Sequence, residues 1–207
     1  MILHAVAVVE SAPKLKTDAQ LVSPKPTLCR LIGEFLPRMF KASWEKVPDA
    51  RLLIFGSHDG SPDGARLEQE LKALAEQVGA EGRVIFGGFC PDVVERIAAS
   101  AVLVLPSASE SFGRVLAEAW TLGVPTVASD IPGCAEITRA SGGGRLAAVG
   151  DVAGFARALS DLLLAKEEAR GMGQRGRRWV TENCSPDGYR KRFTTLLEVL
   201  NRSPTVV

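Results

Sequence analysis

Four short apolar runs constrain this chain more than any other feature: Leu52–Phe55, Val84–Phe86, Val102–Leu105 and Val124–Ala128. None alternates apolar with polar residues, which is how strands buried on both faces read. Arg145–Val149, after the glycine run Gly142–Gly144, is a weaker fifth strand, and Met1–Val9 reads as a short strand at the front. Helical periodicity fills the spaces between. Leu67, Leu71, Leu74, Ala75 and Val78 form one stripe, and Val152, Phe155, Leu159, Leu162 and Leu163 a second. Tyr189, Phe193, Leu196, Leu197 and Leu200 form a third. Strands alternating with helices at this spacing predict right-handed βαβ units: an α/β fold with an open parallel sheet and helices on both faces.

Ligands of such sheets bind outside the carboxyl ends of the strands. Three strand ends are therefore candidate places for chemistry: Gly56–Ser57, Gly87–Gly88–Phe89 and Pro106–Ser107. Residues 10–30 hold Pro13, Pro24 and Pro26 among polar residues and show no period. The expected organisation is an irregular arm or weak first strand over 1–30, one domain over 31–201, and a tail over 202–207.

Composition removes several function classes. The chain has 207 residues and a formal net charge of +1, without the basic excess of a general nucleic-acid binder. No apolar run approaches the ~20 residues of a membrane-spanning helix. Cys29, Cys90, Cys134 and Cys184 are dispersed, and with two His residues they do not make a zinc signature. They read as free thiols in a reducing cytosol. No G-x-G-x-x-G follows a strand and no G-x-x-x-x-G-K-[ST] occurs, so neither a dinucleotide-dependent oxidoreductase nor a P-loop NTPase fits.

The densest chemical content lies between Pro106 and Trp120, where a predicted strand runs into a predicted helix. Ser111, Phe112 and Gly113 fall at the helix N-terminus, where free N–H groups and the positive dipole end suit a phosphate or carboxylate. Glu118 falls three residues after Val115, within an apolar stripe completed by Ala119 and Leu122. A carboxylate on a core-facing stripe needs partners. Sugar hydroxyls are one possibility; backbone N–H groups or an Arg are the other. Glu110, taken by itself, reads as an acidic cap of the helix.

The string Pro106-Ser107-x-x-Glu110-Ser111-Phe112-Gly113-x-Val115-Leu116-x-Glu118-Ala119 resembles the E-x7-E signature of retaining GT-B glycosyltransferases, glycosyltransferase family 4 in particular. Pro48–Gly56, Arg83–Phe89, Gly123–Ala128 and Gly133–Ile137 resemble flanking segments of that family in the same order. The likeness covers roughly residues 44–200 and matches the C-terminal, donor-binding half of the fold, a Rossmann-like domain. It implies a nucleotide-sugar site and sugar transfer with retention, without an essential metal or other cofactor, from a UDP- or GDP-sugar. Glu110 would meet sugar hydroxyls and is the candidate catalytic residue. Glu118 would hold the ribose hydroxyls. The backbone of Phe112, Gly113 and Arg114, with Ser111 beside it, would lie along the diphosphate and sugar. Gly88 and Phe89 would approach the base.

The front of the chain departs from the family pattern of an Arg followed by a Lys-Gly. Arg30 stands for the first cation, but Phe35 or Ile32 stands at the second. Pro37 falls where the next helix should already be established, and is expected only within a first turn. Residues 1–43 are too few for the acceptor-side domain of that fold. The chain is therefore expected to be a fragment, a separately encoded half with an N-terminal-type partner subunit, or a degenerate product, weak or inactive alone. A non-catalytic interaction module is the alternative. A basic region of Arg170, Arg175, Arg177, Arg178, Arg190, Lys191 and Arg192 reads as a solvated face, or else as a peripheral contact with anionic lipid or a partner. His58 reads as a solvated loop residue, Asp130 as a loop cap, and Trp44, Trp120 and Trp179 as packing residues.

Overall fold

A computed structural model describes residues 6–10, 26–44, 46–55, 62–88, 90–188, 190, 193–195 and 198. The four apolar runs all become strands. β2 is Arg51–Phe55, β3 Val84–Gly88, β4 Val102–Leu105 and β5 Thr126–Ser129. β5 starts two residues later than its apolar run, because Pro125 offers no N–H and marks the strand entrance. The weak fifth run yields β6, Gly144–Ala147, and the front strand is β1, Val6–Glu10. Together they form one sheet in the order β3-β2-β1-β4-β5-β6.

The expected α/β architecture is present, with one added feature. β2 and β3 run parallel, as do β4, β5 and β6, but β1 lies between β2 and β4 and is antiparallel to both. Val6 pairs with Phe55 and Glu10 with Arg51. β1 therefore ends at the amino edge of its neighbours, away from the edge where ligands of such sheets bind.

Helices cover both faces because adjacent strand residues point to opposite sides. On one face Leu52, Ile54, Val102, Val104 and Val127 meet Leu36, Met39 and Phe40 of α1 (Pro26–Trp44) and Phe155, Leu159 and Leu162 of α6 (Val152–Leu164). Opposite them, Leu53, Leu103, Leu105 and Ala128 meet Val115, Leu116 and Trp120 of α4 (Arg114–Thr121) and Cys134 and Ile137 of α5 (Pro132–Ser141). α2 (Pro62–Gln77), α3 (Val93–Ala98) and α7 (Lys166–Asn183) complete the layers. Trp120 is fully buried and meets Trp179 edge-to-face at 6.1 Å. Trp44 packs on Phe40 at 5.3 Å, so all three tryptophans are packing residues as expected.

Two expectations about the front need correction. α1 starts at Pro26, inside the stretch read as an irregular arm, and Pro37 lies well inside it rather than in a first turn. A mid-helix proline costs about 3 kcal/mol. Burying Leu36, Met39 and Phe40 completely contributes about 1.5–3 kcal/mol each, which outweighs that cost. Helix start signals are clearer further along. Asp151 caps α6 by accepting from the Gly154 N–H at 2.8 Å, and Pro132 opens α5 where its missing N–H is harmless. The third apolar stripe lies largely outside the described residues; Phe193, within them, is exposed.

Candidate functional site

The loop from β4 to α4 is held at both ends and pressed from one side. Its start is buried: Pro106 and Ser107 continue directly from β4. Its end is Gly113, the N-cap of α4, at φ +65° and ψ +46°. A β-carbon there would sit 3.2 Å from the Cys134 Sγ and 3.2 Å from the Leu116 Cδ1, in a backbone region that L-residues avoid. The side pressure comes from the first turn of α5. A β-carbon on Gly133 would lie 2.2 Å from the Glu110 main-chain carbonyl oxygen. Glycine is required at that point for two backbones to approach.

Within this frame Glu110 is half-buried, and the Ser107 hydroxyl donates to its Oε1 at 3.0 Å. Glu110 is thus a loop residue four positions before α4, not the helix cap suggested by the sequence alone. Cys134 is buried beside it. Its thiol is pushed up from 9.0 to about 12, first by burial and then by the Glu110 charge, so it stays neutral.

Glu118 also differs from expectation. The buried residues of α4 are Val115, Leu116, Ala119 and Trp120. At 3.6 residues per turn, Glu118 lies about 130° from the centre of that stripe. It is exposed, with Arg114 one turn earlier at 3.9 Å. Solvent, not the core, meets this carboxylate, and such an exposed pair contributes little to stability. Ser111 and Phe112 are exposed just ahead of the helix N-terminus; Phe112 is 44% accessible, unusual for an aromatic ring.

The other candidates are more distant or lie beyond description. Gly88 ends β3 at the same carboxyl edge, three strand positions from β4, or about 14 Å across the sheet. Phe89, His58 and the strand end Gly56–Ser57 lie outside the described residues. Arg30 falls in α1, and its side chain is outside them too. Asp130, just after β5, accepts from the Arg139 Nη2 at both carboxylate oxygens, at 2.7 and 2.8 Å, rather than acting as a cap. Among the described residues no cluster of His, Cys, Asp or Glu could hold a metal ion. No described helix is long and apolar enough to cross a membrane.

Gly133 and Cys134 of α5 lie against the loop, a contact that the strand-to-helix pattern from Pro106 to Trp120 does not reveal. The signal was present: a Pro-Gly pair after a buried strand marks a helix start whose backbone can be approached closely. Two helix N-termini, those of α4 and α5, thus flank one loop at the carboxyl edge of β4 and β5. The start of α4 and a fixed carboxylate beside each other suit a ligand carrying both phosphate and hydroxyl groups.

The family model for glycosyl transferases group 1 matches residues 34–179. The chain belongs to that family. It is 36% identical over 148 residues to N-acetyl-alpha-D-glucosaminyl L-malate synthase of Bacillus anthracis, covering 72% of this chain and 37% of that protein. A D-inositol 3-phosphate glycosyltransferase of Mycobacterium sp. (strain KMS) is 32% identical over 148 residues, 69% of this chain and 33% of that protein. Among solved structures, sucrose-phosphate synthase from Thermosynechococcus elongatus superposes with a TM-score of 0.65 at 26% identity, over 79% of this chain and 42% of that one. The fold is that of a C-terminal-type domain of GT-B glycosyltransferases. The chain spans between a third and about two-fifths of the length of these relatives.

Proposed function

We propose that this chain binds a nucleoside-diphosphate sugar and acts as the donor-binding half of a retaining sugar transfer. The observation that carries this reading is the β4–α4 loop: a carboxylate fixed by Ser107, a glycine N-cap, and a second helix N-terminus pressed against it. Family membership supports the donor class. Glu110 contacts sugar hydroxyls. Backbone N–H groups at Arg114 and Val115 meet the diphosphate, whose negative charge grows as the glycosidic bond breaks; fixed dipoles aimed at that charge lower the barrier. Arg114 adds a mobile cation, and donor entry releases it from Glu118, which then accepts from ribose hydroxyls. Gly88 and Phe89 lie along the base. The donor is a UDP- or GDP-sugar, and transfer proceeds without a metal.

The antiparallel direction of β1 favours a second reading, a non-catalytic docking module: the carboxyl end of β1 lies at the edge of the sheet away from the β4–α4 loop. Calorimetric titration with UDP, GDP, ADP and their glucose or mannose conjugates separates the two. Saturable binding of one nucleotide and its conjugate is the expected result. Failure of all of them to bind to the folded chain contradicts donor binding and leaves docking.

A further inference from the structure

Ser107, two residues past the end of β4, has a buried side chain, 2% accessible, and its hydroxyl donates to the Glu110 carboxylate three residues later. Glu110 itself sits in the loop, four residues before α4. Its main chain is fixed separately, by the contact with Gly133. Main chain and side chain are therefore held at two different places, the first turn of α5 and the chain segment just after β4. A free glutamate has three rotatable side-chain bonds, and ordering them on ligand binding opposes affinity. A carboxylate already oriented avoids that loss.

We propose that Ser107 is a positioning residue: it orients the Glu110 carboxylate toward the donor sugar before the ligand arrives. The inference rests on the donor-binding reading above. It requires that Ser107 act on the sugar portion of the donor through Glu110, and not on the nucleotide. A general packing role would affect both portions alike.

The test is calorimetric titration of the full chain and of Ser107→Ala, Glu110→Gln and the double variant with UDP, UDP-glucose, GDP and GDP-mannose. Ser107→Ala is expected to weaken the bound nucleotide sugar about tenfold, the scale of one hydrogen bond to a charged group, and to leave the matching diphosphate within about twofold. In the Glu110→Gln background, Ser107→Ala is expected to add less than about twofold, because residues acting as a unit are not additive. Equal weakening of diphosphate and conjugate overturns the proposal, as does a full tenfold loss on top of Glu110→Gln. Both results leave the donor-binding reading standing. An unsubstituted chain that binds none of the four probes overturns that reading and this inference with it.

Discussion

Cys134 is the residue whose environment makes the sharpest measurable statement. The unfolded chain ionises this thiol near 9.0 and the folded chain near 12. The stability gained by keeping it neutral is therefore complete below pH 9 and is lost as pH rises toward 12. Across that window the unfolding free energy of the native chain should fall more steeply than that of Cys134→Ala. Denaturant titrations of both proteins check this, and a constant difference between them would contradict the burial of the thiol. Glu118 shows why residue-scale reading from sequence fails. A count of three from Val115 put it on an apolar stripe, but Leu116 and Trp120 turn the buried face the other way. The stripe's centre, not its membership, decides burial, and two large residues moved that centre.

At the scale of elements, the entrance to α4 depends on one backbone conformation. Gly113→Ala places a side chain at φ +65° against Cys134 and Leu116, and should cost about 1–2 kcal/mol. Urea unfolding should show a lower midpoint with an unchanged slope; an unchanged midpoint would mean that the loop relaxes freely. Much of the element pattern was legible. β4 matches its apolar run residue for residue, since Val102–Leu105 is buried throughout. The less legible parts have physical causes. A short apolar run carries no mark of its direction, so the antiparallel setting of β1 could not be read from Val6–Glu10. Pro37 read as a helix boundary because local cost is visible in sequence, whereas the burial of Leu36, Met39 and Phe40 that offsets it is a tertiary effect.

Over the whole molecule, a doubly covered sheet brings β4, β5 and two helix N-termini to one edge, with β3 at the far side of the same edge. The loop lies between a strand and a helix, as the residues from Pro106 to Trp120 predict. Those residues do not reveal that α5 closes on it through Gly133, because that contact joins residues whose closeness exists only once the sheet is assembled. On the proposed donor-binding reading two glutamates act differently on one ligand: Glu110 on the sugar, Glu118 on the ribose. The most direct test is to compare the affinity of Glu110→Gln and Glu118→Gln for a nucleoside diphosphate and for its sugar conjugate, with unfolding midpoints as the control for fold. Glu118→Gln, at an exposed position, should weaken both ligands while leaving the midpoint unchanged. Glu110→Gln should weaken only the conjugate. Unaltered binding of both ligands by both variants would contradict the assignment of this loop and helix as the donor site.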